Sequence, residues 1–247
     1  QKGPKIAIVY AVGSIMTGES TADPLAGQSM GSTTIVEALE KAADDEAVKA
    51  IVLRVDSPGG SALASDLIWR ATQRIEKPII ASMGDVAGSG GYYISMGADR
   101  IFAEPATITG SIGVVGGKFD MGGLYEHIGM SIETISRGEN SGLFSSSDGF
   151  TDSERKVVVA LLQDIYEQFT RKAAQGRGME VDALKDLAGG KVYTGRVAKH
   201  NGLVDEVGTL QDAIDAAKTK ANLGPDEEVS LMVLPEPKNP LEALLGG

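Results

Sequence analysis

The sequence contains no cysteine. Disulfides, thiolate metal sites and cysteine nucleophiles are therefore excluded, and either side of a bacterial membrane is a compatible location. Basic charge is short as well: 23 Lys and Arg stand against 34 Asp and Glu, a formal charge of −11. Nucleic acid is a poor partner for such a chain, because phosphates demand clustered Lys and Arg. No stretch approaches the roughly 20 apolar residues of a spanning helix. Gln1 to Tyr10 lacks the charged, apolar and small-residue layout of a signal peptide. The chain itself thus reads as soluble, with any membrane attachment expected through a part not in it. Histidine is nearly missing, at two residues.

The 247 residues suffice for one large α/β domain, and 42% hydrophobic with 23% charged residues is ordinary for a globular one. Short β-branched runs bounded by turn residues predict strands at Ile6–Val12, Ala50–Val55, Pro78–Ser82, Arg100–Ala103, Ile112–Val115 and Ser131–Ile135. Helical spacing predicts helices over Thr33–Ala43 and Leu63–Ile75. Strand–helix–strand alternation calls for a largely parallel sheet covered by helices. Further on, Thr151-Asp152-Ser153-Glu154 opens a long helix whose buried stripe is Val158, Leu161, Leu162, Ile165 and Phe169. Helices at Val181–Leu187 and Leu210–Ala221 follow, with a helical turn after Gly195 and strands at Leu203–Val207 and Val229–Val233. Residues 1–234 read as a single lobe, and 235–247, holding three of the nine prolines, as a loose tail. The chain starts almost directly on a strand pattern, as expected of a fragment cut at a domain boundary.

Glycine is abundant and clusters in three turns placed after strands. They are Asp56-Ser57-Pro58-Gly59-Gly60, then Gly84 to Tyr93 with Ala87-Gly88-Ser89-Gly90-Gly91, then Thr107 to Gly113 with Gly110-Ser111. Ligands of parallel sheets bind at the carboxyl ends of strands, where these turns must sit. Ser89 lies among glycines where a helix can begin at Gly90–Met96, an exposed place for a nucleophile. It reads equally as an N-cap, the usual role of a serine before a helix. Glycine amides at Gly59 and Gly60 can approach a scissile carbonyl and donate to its oxyanion. Alternatively, Pro-Gly makes an ordinary type II turn.

A serine nucleophile needs a base. His127 and His200 both sit where helices end, which favours a structural role for each. A Ser–Asp–His order through Ser89 and His200 stays open, although Ala87-Gly88-Ser89-Gly90-Gly91 lacks the first glycine of a nucleophile elbow.

In order and spacing, the three motifs resemble the signal peptide peptidase A (protease IV) family of Ser–Lys peptidases, over about the first 210 residues. The resemblance implies an α/β, crotonase-like or Clp-protease-like spiral of short parallel strands and helices, with a helical C-terminal portion. It implies Ser89 as nucleophile, Gly59 and Gly60 as the oxyanion turn with Gly90 beside it, and Ser111 as the serine that bonds the catalytic lysine. Ser111 has a local alternative, a turn hydroxyl bonded to nearby backbone. No cofactor or metal is called for.

The family's lysine is missing. Its Gly-x-x-Lys segment corresponds here to Ser136-Arg137-Gly138-Glu139-Asn140-Ser141-Gly142, with Ser141 in the lysine position. Arg137 stays protonated and cannot act as base. Lys118 reads as a solvated loop residue. The chain therefore resembles the serine-bearing C-terminal half of double-length relatives, whose other half supplies the lysine. The expected partners are peptide substrates and either further copies or a lysine-bearing lobe, on the extracytoplasmic side of a bacterial membrane. Two rivals remain: a crotonase-type acyl-CoA enzyme using the same amides, and a non-catalytic assembly lobe.

Overall fold

A computed structural model describes residues 3–23, 27–224 and 227–236. Most of the proposed tail, 237–247, lies outside the described residues. Contacts gather into two compact units within the span read as one lobe: residues 1–113 with 169–247, and residues 114–168.

The first unit is built on an eight-stranded sheet. Its main path is made by β1 (Lys5–Val12), β5 (Val48–Ser57), β6 (Ile79–Gly88), β7 (Arg100–Ala103), β10 (Glu206–Val207) and β11 (Ser230–Leu234), in the order β10-β7-β6-β5-β1-β11. Every pairing on that path is parallel. β8 (Ile108–Gly110) extends β6 in parallel, and β9 (Val192–Thr194) pairs antiparallel with β8. A small second sheet joins β2 (Ser14–Met16), β3 (Thr21–Asp23) and β4 (Gly27–Gly31).

Parallel sheets bury both faces, so their strands read as continuous apolar runs. Ile6, Ile8, Ala50, Val52, Ile80 and Phe102 face α8 (Leu210–Lys220), which brings Ala213, Ile214 and Ala217. Alternate residues point the other way, and Ala7, Ile51 and Leu53 are just as buried there. The other helices of this unit are α1 (Ser32–Asp44), α2 (Ala62–Arg74), α3 (Gly90–Ser95), α6 (Val181–Leu187) and α7 (Gly195–His200). The α/β class with a parallel sheet is as the sequence indicates.

Four strand expectations need correction. Ile112–Val115 is not a strand: Gly110 and Ser111 both take positive φ, which ends the ladder at Gly110. Ser131–Ile135 has β-branched residues, yet all are exposed and none is paired, and the second unit holds no strand among the described residues. Strand propensity needs a neighbour to pack against. Leu203–Val207 shortens to Glu206–Val207. Conversely, β6 runs to Gly88, through residues that look like a loop. Asp56 Oδ1 accepts from Val86 N–H at 3.1 Å and Thr107 Oγ1 donates to the Gly84 carbonyl at 2.7 Å, holding the extension in the sheet.

The second unit contains α4 (Gly122–His127) and the start of α5 (Asp152–Arg177). Thr151 and Glu154 form the expected reciprocal cap, with bonds of 2.9 and 3.2 Å. In the helix stripe, Phe169 is buried while Leu161 is exposed. Lys118 is not solvated: its side chain is 7% exposed, 3.7 Å from an equally buried Glu154, and its ammonium lies 4.8 Å from the Phe150 ring centroid. A loop lysine is drawn inward because the Glu154 carboxylate at the helix start needs a counter-charge.

Candidate active site

All five candidate residues lie in the first unit, at the carboxyl ends of three neighbouring strands. β6 and β8 are parallel, and Gly88 is the partner of Gly110. The next residue on each strand is a serine, Ser89 and Ser111, so the two leave adjacent strand ends at one level. Both have φ of 51°, a conformation that non-glycine residues rarely adopt. Ser89 N–H donates to the Gly110 carbonyl at 2.9 Å, and Ser111 N–H to the Lys191 carbonyl at 2.7 Å. The backbone thus pins both serines while leaving their hydroxyls unused. Among the described residues, neither hydroxyl has a hydrogen-bond partner.

This counts against the N-cap reading of Ser89. It stands at the N-cap position of α3 with ψ of −116°, and its side chain makes no capping bond. Elsewhere the chain's hydroxyls do cap: Ser61 accepts from Ala64 N–H, Thr194 from Val197 N–H and Thr209 from Asp212 N–H. Residues held in such sparsely populated conformations cluster at functional sites. Ser111 likewise does not satisfy local backbone with its side chain.

The third strand end belongs to β5. Gly59 has φ of 98°, and a Cβ there would fall 2.6 Å from Gly90 N and 2.8 Å from Ser89 Cβ. Only glycine lets this turn press against the start of α3. A closed type II turn would spend the Gly60 N–H on the Ser57 carbonyl. That bond is absent, and Gly60 N–H has no acceptor among the described residues. Ser57, buried, accepts from Gly59 N–H at 3.1 Å and donates to the Gly13 carbonyl at 2.6 Å. Gly59's amide is thereby consumed and Gly60's left free. Gly90 is the first residue of α3, so its N–H has no intrahelical carbonyl. Two unpaired amides beside an unpaired hydroxyl are the parts of an oxyanion site.

His200 ends the short helix α7 and bonds to neither serine among the described residues, and His127 ends α4 in the second unit. No lysine side chain of the first unit bonds to either serine among the described residues. Ser141 is exposed in a turn of the second unit, its hydroxyl donating to the Gly138 carbonyl at 2.8 Å. No group of His, Asp and Glu among the described residues is arranged to hold a metal. The role of Ser57 could not be read from sequence, although its place before Pro-Gly-Gly was the available signal.

The family model described as Peptidase family S49 matches residues 71–224, more than half of the chain. The chain belongs to peptidase family S49. This S49 chain is 42% identical to the "Serine protease SPPA, chloroplastic" of Arabidopsis thaliana, over 98% of its own length and 36% of that protein's. It is 35% identical to a putative protease of Synechocystis, over 98% of its length and 83% of the relative's. It is 38% identical to "Protease 4" of Haemophilus influenzae, over 91% and 36% respectively. The S49 chain therefore spans about a third of the Arabidopsis and Haemophilus relatives.

Proposed function

We propose that the protein containing this chain is a serine endopeptidase that cleaves extended hydrophobic peptides, such as spent signal peptides, through an acyl-enzyme on Ser89. The observation that carries the reading is the unbonded Ser89 hydroxyl, held at positive φ beside Ser111 and the free amides of Gly60 and Gly90. Ser89 Oγ attacks the scissile carbonyl and its proton passes to a neutral lysine amine. The new oxyanion receives the Gly60 and Gly90 N–H groups. The C–N bond then breaks, the leaving amine takes the proton back, and water hydrolyses the ester by the same route. The lysine comes from another lobe or subunit, and Ser111 orients it. Burial lowers a lysine's pKa enough for it to serve as base. Relatives of nearly three times the chain's length are in keeping with a second, lysine-bearing lobe. Attachment to a membrane, on the extracytoplasmic side, would lie in a part outside this chain. None of the described helices is long and apolar enough to cross one.

The test compares the whole protein with its Ser89→Ala variant on a hydrophobic peptide. Activity is expected to fall by several orders of magnitude with melting temperature nearly unchanged, because no capping bond is lost. A folded Ser89→Ala protein that still cleaves would remove Ser89 from the mechanism.

A further inference from the structure

The two halves of the candidate site stand on two different helices. α2 is capped by Ser61, directly after the Gly59-Gly60 turn, and α3 begins directly after Ser89. The helices pack against each other, and a Cβ on Gly90 would lie 2.5 Å from Ser65 Oγ of α2. Any slip of α3 along α2 therefore changes the gap between Ser89 Oγ and the Gly60 amide. Backbone contact alone does not prevent such a slip, because glycines offer no side chains to interlock.

One turn into each helix stands a polar pin. Tyr93, whose N–H bonds to the Ser89 carbonyl at 2.9 Å, donates its hydroxyl to Asp66 Oδ1 at 2.7 Å. Arg70 Nε donates to Asp66 Oδ2 at 2.6 Å. Lys172, from the part of α5 that belongs to the first unit, donates to Asp66 Oδ1 and to Tyr93 Oη, the latter at 3.0 Å. Its ammonium also lies 4.5 Å from the Trp69 ring centroid. Three helices thus meet on one carboxylate. Tyr93 is buried at 6% exposure, and the Asp66 and Lys172 side chains are each 18% exposed. Burial pushes Asp66 upward, but the bonds from Lys172, Tyr93 and Arg70 outweigh it and hold the carboxyl below its ordinary pKa. Burial, then Asp66 itself, drive the Tyr93 phenol well above its ordinary value, so it remains a donor.

We propose that Asp66, Tyr93 and Lys172 are positioning residues that fix α3 against α2 and so set the spacing between Ser89 Oγ and the oxyanion amides. The proposal rests on the reading of Ser89 as nucleophile. Arg70, on the exposed side of Asp66, neutralises the carboxylate without a hydrogen bond to any described residue of α3 and is not part of the pin.

The experiment uses the whole protein and four variants, Tyr93→Phe, Lys172→Met, Arg70→Gln and Ser89→Ala, measuring kcat and KM on a hydrophobic peptide and inhibition by a peptide aldehyde. The aldehyde's adduct carries an oxyanion where substrate carries none. Tyr93→Phe, which deletes one oxygen, should lower kcat at least tenfold with KM within about twofold. Its aldehyde affinity should weaken by the same factor as kcat/KM. Lys172→Met should follow the same pattern, and serves alone if Tyr93→Phe fails to fold. Arg70→Gln should keep kcat within about threefold. A folded Tyr93→Phe or Lys172→Met enzyme with wild-type kcat and aldehyde affinity, beside an inactive Ser89→Ala, would overturn the positioning role alone. Equal losses in Arg70→Gln would also overturn it, as a general stability effect. An active Ser89→Ala enzyme would overturn both the positioning role and the reading beneath it.

Discussion

At position 89 the chain accepts a backbone conformation that costs on the order of 1–3 kcal/mol for a residue with a Cβ, although glycines flank it on both sides. A glycine there would have folded at least as well, so what the serine supplies is its hydroxyl. The Gly59-Gly60 turn shows the complementary case, where glycine is compulsory. Gly60 has φ of 151°, and a Cβ on it would meet the Ile15 carbonyl, which already accepts from Ser61 N–H. Gly60→Ala should therefore lower the melting temperature. Its folded fraction should also lose about 10²–10³ in kcat, as expected when one oxyanion donor is displaced. Thermal melts combined with active-site-normalised kinetics would measure both. Lower stability with unchanged kcat would mark Gly60 as structural only and leave the oxyanion to other donors.

Among the elements, the helices beside the site are pinned by polar groups as well as by apolar packing, and pH reads one of those pins. Asp66 has a folded pKa below its unfolded value of 3.8, so its contribution to stability is present above that value and fades as pH falls through the folded pKa. Wild type should be more stable than Asp66→Asn at neutral pH, with the gap closing below about pH 4. Thermal melts across pH 2.5 to 7, as rough bounds, would show it; a gap that widens in acid would contradict the sign of the shift. In the second unit the Lys118–Glu154 pair is buried on both sides. Lys118→Met should destabilise that unit by about 3 kcal/mol by stranding the carboxylate, and adding Glu154→Gln should restore much of the loss while keeping the helix cap. Denaturant titrations of the two variants decide it, and additive losses would contradict the coupling. Lys118 and Asp66 also show where sequence stops being informative. The core strands announce themselves through runs such as Ile51-Val52-Leu53, because burial on both faces leaves no polar alternation. The small sheet of β2, β3 and β4 is made of residues such as Gly27-Gln28-Ser29, held by backbone bonds and the Thr21 and Ser29 hydroxyls, and gives no apolar pattern. Ion pairs between residues as distant as Asp66 and Lys172 exist only once the helices have met. The glycines of these turns were legible because close approach and positive φ, which are local constraints, require them; neither constraint asks for serine at 89 or 111.

For the molecule as a whole, the proposed site has a nucleophile position and oxyanion donors, and no histidine or lysine side chain of the first unit bonds to either serine among the described residues. The missing group is also the one that the resemblance assigns to another lobe, and Ser141 occupies its place in an exposed turn. A serine without a base remains a weak nucleophile at neutral pH. Reactivity is therefore expected to depend on assembly and not on this fold alone. The most direct measurement is intact-mass and peptide analysis after treating the isolated 247-residue chain and the whole protein with a fluorophosphonate at neutral pH. The account predicts a single adduct on Ser89 in the whole protein and essentially none in the isolated, folded chain. Rapid stoichiometric labelling of Ser89 in the isolated chain would contradict the divided base, and an adduct on any other residue would contradict Ser89 as the nucleophile.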